Sequence, residues 1–267
     1  MTPENLYIAL AQADLAWKDK ETNFLKFEKW FYDTKEPLDL VVLPEMFNTG
    51  FVTEPIDVAE PMTGKTVQWM KTQAVQNKFS IIGSVIIEEN GNYYNRLIHI
   101  DRNGEMQYYD KRHLFTYGGE HHQFKAGDKK LIININSWKI QPLVCYDLRF
   151  PVWAKNVYEN GENAYDVLVY IANWPSARAY AFRQLLIARA IENQSYVIGV
   201  NRVGVDGKGL YYQGNTTAID FKGNHIAELN PDEEVFEIVH LIYNDLQKYR
   251  AEFPVGMDWD QFEIKLQ

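Results

Sequence analysis

Apolar residues in this chain fall into short continuous runs separated by stretches of helical spacing, the pattern of an α/β protein. Leu6–Gln12 reads as a first strand, and Phe24, Phe27, Trp30 and Phe31 recur at helical spacing through residues 21–32. Residues 38–43 form an apolar strand that stops at Pro44-Glu45. Residues 63–76 are expected to be helical, and 80–87 a buried strand. Asn90-Gly91-Asn92 then turns the chain into a strand over 93–100, and Asn103-Gly104 turns it again toward 106–109.

The second half repeats this layout loosely. Strands are expected at 131–140, 142–144, 166–171, Tyr196–Asn201 and 216–220, with helices at 152–159 and 177–193. Hairpin turns fall at Asp206-Gly207-Lys208-Gly209 and Lys222-Gly223. One echo is specific. Tyr93-Tyr94 followed by Ile100-Asp101-Arg102-Asn103-Gly104 resembles Tyr211-Tyr212 followed by Ile219-Asp220-Phe221-Lys222-Gly223. It suggests two similar halves, each a sheet covered by helices, packed face to face. No Pro/Gly/Ser-rich linker divides them, so residues 1–267 are expected to form one domain, with its core at about 5–245.

Composition narrows the function classes. The chain has 46% hydrophobic and 24% charged residues, the balance of a soluble globule. A net charge of -9 without a basic stripe argues against a nucleic-acid surface. An anionic substrate would have to be drawn by local cations, not by the global field. No apolar stretch approaches the roughly 20 residues of a membrane span, and neither a signal peptide nor a membrane partner is expected. The single cysteine cannot form an intrachain disulfide, which points to the cytoplasm.

That cysteine is the most informative residue. Leu143-Val144 delivers Cys145 to the end of a strand, and Pro151 ends any continuation. Glu45 and Lys111 occupy similar positions at element edges. A thiol becomes a nucleophile only as the thiolate, so it needs a base or a nearby positive charge. His113, His121 and His122 are candidate bases if the fold brings one close; Glu45 is the alternative, as a carboxylate in an apolar pocket. Lys111 would lower the thiol pKa and hold the oxyanion, with the Tyr146 N–H as a second donor.

In sequence order, Leu43-Pro44-Glu45-Met46-Phe47, Asp110-Lys111-Arg112-His113-Leu114-Phe115 and Val144-Cys145-Tyr146-Asp147-Leu148-Arg149-Phe150-Pro151 resemble the nitrilase superfamily of carbon–nitrogen hydrolases. Glu120 in Gly118-Gly119-Glu120-His121-His122 stands where that superfamily has a second glutamate, and the resemblance extends to about Pro254. It implies a four-layer αββα sandwich, usually a homodimer, with the C-terminal tail 246–267 assigned to the subunit interface. It also implies the roles: Glu45 as base, Cys145 as nucleophile, Lys111 and the Tyr146 N–H on the oxyanion, and Glu120 orienting Lys111 and the substrate nitrogen. No cofactor is implied.

The nucleophile turn, together with Ala172-Asn173-Trp174-Pro175 and Arg189-Ala190-Ile191-Glu192-Asn193-Gln194, most resembles bacterial omega-amidases. Those act on small 2-oxo acid omega-amides such as 2-oxoglutaramate, with water as second substrate. Hydrolysis of N-carbamoyl amino acids or aliphatic nitriles is the alternative, and a non-catalytic binding scaffold a third reading. Phe47, Phe115, Tyr117, Tyr146 and Trp174 are candidate pocket walls, with Asn173 beside them. Arg178 is the first candidate to hold a substrate carboxylate and Arg202 a further option, while Arg149 is expected to make a structural ion pair. No metal site is expected at Glu120-His121-His122, because neighbouring residues of a strand face opposite ways and no ligand follows at helical spacing.

Overall fold

The computed structural model describes residues 5–265. Its first sheet contains β1 (Leu6–Gln12), β2 (Leu40–Val42), β3 (Ser80–Glu89), β4 (Asn92–Ile100) and β5 (Met106–Asp110). The second begins with β6 (Ile133–Ile135) and β7 (Trp138–Val144). After a small hairpin of β8 (Tyr158–Glu159) and β9 (Glu162–Asn163), β10 (Val167–Ala172) and β11 (Tyr196–Asn201) continue that sheet. A second small hairpin, β12 (Val203–Val205) and β13 (Tyr211–Gln213), precedes β14 (Thr217–Ile219), β15 (His225–Glu228) and β16 (Val235–Leu241). The helices are α1 (Lys20–Asp33), α2 (Lys65–Asn77), α3 (Pro151–Ala154), α4 (Ala179–Asn193) and α5 (Tyr243–Glu252).

Strand order is β16-β1-β2-β3-β4-β5 in one sheet and β15-β14-β11-β10-β7-β6 in the other. Strands β1, β2 and β3 are parallel neighbours, as are β7, β10 and β11. Alternation along β1 shows the layering. Leu6, Ile8 and Leu10 join the cluster that also holds Ile140, Leu143 and Val169 of the second sheet. Ala9 and Ala11 face the other way, onto Phe24, Phe27 and Met70 of α1 and α2. Helix α4 covers the outer face of the second sheet through Phe182, Leu186 and Ala190. The result is a four-layer αββα sandwich, whose central strands are apolar on both faces because both are covered.

Local sequence accounts for the boundaries. Helix α1 starts where Asp19 accepts the Thr22 N–H at 3.1 Å, and buries Phe24, Phe27 and Phe31 at successive turns. The expected strand at 131–140 is two strands, because Asn136 takes a left-handed φ of 53° and turns the chain. Residues 152–159 are not one helix either: α3 stops at Ala154, and 158–159 belong to a hairpin. Strand β16 and helix α5 were not foreseen. Only two of the seven β16 residues are buried, which hides its signal, and Leu246 carries the packing past residue 245.

The internal echo holds at its turns. Gly104 N donates to Asp101 O and Gly223 N to Asp220 O, both at 2.9 Å, and each Asp side chain accepts the N–H two residues on at 2.8 Å. It fails at the tyrosines. Tyr94 lies in β4 itself, whereas Tyr212 lies in the separate β12–β13 hairpin.

Candidate active site

Four side chains are brought together by strand ends. Glu45 follows β2 by way of Leu43-Pro44, Lys111 follows β5, Cys145 follows β7 and Asn173 follows β10. Loops beyond the carboxyl ends of parallel strands are the usual ligand-binding edge of α/β sheets. The two sheets pack with these ends over one cavity of about 300 Å³.

The chain turns sharply at Cys145 and just after Glu45. Met46 and Cys145 have φ of 46° and 44°, in the left-handed region that non-glycine residues rarely adopt. Met46 N donates to Ser84 Oγ at 2.8 Å, and Asn173 Nδ2 donates to Glu45 O at 2.5 Å. The cysteine turn is held by Asp147, whose Oδ2 accepts from Val144 N at 3.0 Å and from Tyr109 OH at 2.8 Å. Trp153 Nε1 in turn donates to that hydroxyl at 3.0 Å. Such strain persists only where surrounding bonds over-determine it.

Beneath the cavity lies a buried polar layer. Lys111 Nζ is 2.9 Å from Glu45 Oε1 and 2.9 Å from Glu120 Oε2, and all three side chains are buried. Asn95 Nδ2 donates to Glu45 Oε1 at 2.8 Å and to Glu120 Oε1 at 3.0 Å. Phe115 N donates to Glu120 Oε2 at 2.6 Å, and Asn173 N to Glu45 Oε2 at 2.9 Å. Burial opposes the charge on Lys111, but Glu120 and Glu45 outweigh it and hold the amine above its ordinary value. Burial and then the Glu45 carboxylate push the Cys145 thiol well above its ordinary value, against the pull of Lys111. The resting site therefore holds a neutral thiol beside a charged ammonium.

Cys145 is not sealed off. It is 9% exposed and lines the cavity together with Lys111, Phe115, Tyr117, Tyr146, Asn173, Trp174 and Arg178. Phe115 and Tyr146 meet edge to face at 5.1 Å, and Arg178 lies over the Phe115 ring at 5.3 Å. Tyr117 is 88% exposed at the rim.

Several expectations need correction. Phe47 does not wall the cavity: it is buried in the helix-side core, 5.8 Å from Phe27 and 5.7 Å from Trp69, because the Met46 turn swings it behind the sheet. Arg149 makes no ion pair among the described residues; it lies over Trp174 at 4.9 Å and lines the cavity. Arg202 is buried against Asp14 at 2.8 Å and does not line the cavity. Residues 120–122 form a 3₁₀ turn, not a strand, and the two histidine rings meet at 3.9 Å. None of the three histidines lines the cavity: His121 and His122 are exposed, and His113 bonds Asp147 at 2.8 Å and stacks on Phe150 at 3.8 Å.

Sequence reasoning overlooked Asn95 and Lys208. Asn95 sits mid-strand, with no turn or charge to signal it. Lys208 was read only as a hairpin tip, yet it lines the cavity, with Nζ 2.6 Å from Thr53 Oγ1.

A thiol and an ammonium at the base of a cavity between two sheets, with a carboxylate buried beneath them, are the groups that hydrolysis through a cysteine would require. The chain belongs to the carbon-nitrogen hydrolase family, whose profile matches residues 7–251. It is 40% identical to omega-amidase YafV of Yersinia enterocolitica, over 96% of this chain and 98% of that one. It is 32% identical to 2-oxoglutaramate amidase of Bacillus subtilis, over 85% of this chain and 88% of that one. A crystal structure of a CN-hydrolase superfamily protein from Xanthomonas campestris, with an arsenic adduct in its active site, superposes with a TM-score of 0.96. That protein is 42% identical, and the match covers 98% of this chain and all of that one.

Proposed function

We propose that this enzyme is an omega-amidase, which hydrolyses the terminal amide of a small 2-oxo acid such as 2-oxoglutaramate to the acid and ammonia. The observation that carries the reading is that Lys111 and Cys145 line one cavity with Glu45 bonded to Lys111 beneath it, in a chain similar to an omega-amidase over 96% of its length.

Glu45 takes the Cys145 proton as sulfur attacks the amide carbon, forming an S–C bond and an oxyanion. An ammonium has three hydrogens. Lys111 directs one to Glu45 and shares one between the two Glu120 oxygens, which leaves the third for the oxyanion. The Tyr146 N–H is its second donor in this reading. The C–N bond then breaks, the nitrogen leaves with the proton from Glu45, and ammonia departs. Water attacks the thioester and gives a proton to Glu45; the C–S bond breaks, and the thiol is restored. Glu120 acts on Lys111.

Phe115, Tyr117, Tyr146, Asn173 and Trp174 would shape the substrate site. Arg178 would hold the carboxylate, with Arg149 and Lys208 as further cations at the same cavity. Omega-amidase relatives at 40% and 39% identity do not favour an N-carbamoyl or nitrile substrate. A homodimer is part of this reading, as is a cytoplasmic location, which the lone unpaired thiol favours.

The test is ammonia release from 2-oxoglutaramate by the wild type and Cys145→Ala. The wild type should turn it over, and the variant should lose at least about 10⁴-fold in kcat. Activity surviving in the variant would remove Cys145 from the mechanism.

A further inference from the structure

Glu45 and Glu120 are equally buried and share one ammonium, yet their spare acceptor capacity differs. An ionised carboxylate offers about four acceptor sites, two on each oxygen. Glu120 fills all of them. Its Oε1 accepts from Asn95 Nδ2 at 3.0 Å and Lys111 Nζ at 3.1 Å; its Oε2 accepts from Lys111 Nζ at 2.9 Å and Phe115 N at 2.6 Å. Glu45 Oε1 is likewise filled, by Asn95 at 2.8 Å and Lys111 at 2.9 Å. Glu45 Oε2 accepts only from Asn173 N at 2.9 Å, so one site stays open. Glu45 and Lys111 both bear on the thiol, whose Sγ donates to Asn173 O at 3.9 Å.

Asn95 is the uncharged side chain that joins the two glutamates. It is buried in β4, and its amide divides its two hydrogens between them. Its Oδ1 has no hydrogen-bond partner among the described residues, so nothing holds the amide by its oxygen. Turned over, that oxygen would face two carboxylates. The polar contacts of this side chain are therefore directed at the catalytic layer.

We propose that Asn95 is a positioning residue that assigns the proton-accepting role to Glu45 Oε2. It completes the bonding of Glu120, and it fills Glu45 Oε1 so that the open site is the one on Oε2. This role deepens the thiol-amidase reading and rests on Cys145 as its nucleophile. The electrostatic reason is the surplus carboxylate: two anions and one cation leave a single negative charge in a buried layer. The two amide hydrogens favour the ionised form of both. Without them each glutamate keeps two donors, the shared Lys111 ammonium and one backbone N–H, and a proton settling on the less crowded Glu45 would bar it from accepting another from sulfur.

The experiment follows the pH dependence of Cys145 alkylation by iodoacetamide, which needs no substrate, beside ammonia release from 2-oxoglutaramate. In Asn95→Ala the acid limb of both profiles should move about one to two pH units upward. At neutral pH kcat should fall by about 10–100-fold, with KM within about twofold. Asn95→Asp keeps the shape of the side chain but donates only while protonated, so its activity relative to wild type should decline as pH rises. If Asn95→Ala does not fold, the Asp variant carries the test, and a constant ratio to wild type across pH overturns the proposal. An unmoved acid limb in a folded Asn95→Ala overturns it equally, since a purely structural loss would not depend on pH. The two readings separate: alkylation limbs that shift without any ammonia from wild type sink the amidase substrate, whereas ammonia with unmoved limbs sinks the role of Asn95.

Discussion

The floor and the mouth of the cavity are built on opposite principles. At the floor, Glu45, Lys111, Glu120 and Asn95 are buried, and their polar hydrogens are aimed at one another by short bonds. At the mouth, Arg149 and Arg178 have no carboxylate partner among the described residues and rest on aromatic faces at 4.9 and 5.3 Å. A buried network so densely bonded fixes one geometry and tolerates no missing member. Guanidinium groups seated on rings keep their donors free for whatever enters. The difference teaches that chemistry and selection are separable here: changes at the floor should act on kcat and stability, and changes at the mouth on KM.

The largest effect should come from the ammonium. Lys111→Met strands two buried carboxylates, and breaking such a cluster costs about 3–5 kcal/mol. A urea midpoint shift of that size, together with loss of ammonia release, is the expected result; an unchanged midpoint would mean that the floor is wetter than its burial indicates. Glu45→Gln removes the proposed base but keeps a side chain of the same shape. Its kcat should fall about 10²–10⁴-fold while the folded fraction, followed by circular dichroism, stays near wild type. A loss of only a few-fold would move the base elsewhere.

His99 sharpens what burial alone does. It lies on β4 four residues beyond Asn95, and burial pushes its imidazole down to about 4, although Asp101 pulls the other way. Lys111, equally buried but flanked by two carboxylates, is moved upward. An unfolded chain protonates this histidine near its ordinary value and the folded one only near 4. Between those values the unfolded state binds the extra proton, so stability falls as the pH drops through that window, by about 3 kcal/mol in all. Denaturation of wild type and His99→Leu at pH 7 and pH 4.5 should show this slope in the wild type and less of it in the variant. The smallest effect belongs to the mouth. Arg178→Gln should raise KM for 2-oxoglutaramate about tenfold with kcat preserved, and leave hydrolysis of an uncharged aliphatic amide unchanged. Equal losses on both amides would place Arg178 outside carboxylate recognition.

Much of this was legible along the chain. Strands covered on both faces must be apolar throughout, so β1, β3, β10 and β11 declare themselves by composition. Glu45, Lys111 and Cys145 are each polar groups set where an apolar or alternating run stops, and that break marks an element edge. Strand β16 was missed because it is an edge strand with few buried positions. The tyrosines of the internal echo misled because identical residue pairs entered different sheets.

The order of the residues determined which groups end strands, and therefore which side chains can reach the loop edge of the sandwich. Only the tertiary structure decided that the ends of the two sheets meet, that Asn95 of β4 lies between two glutamates from distant loops of its own sheet, and that the Met46 turn sends Phe47 away. The reason is geometric. Strand periodicity is a property of neighbours along the chain, whereas the sites of a carboxylate are filled by donors from β4 and the loops after β5 and β10, up to 128 positions away.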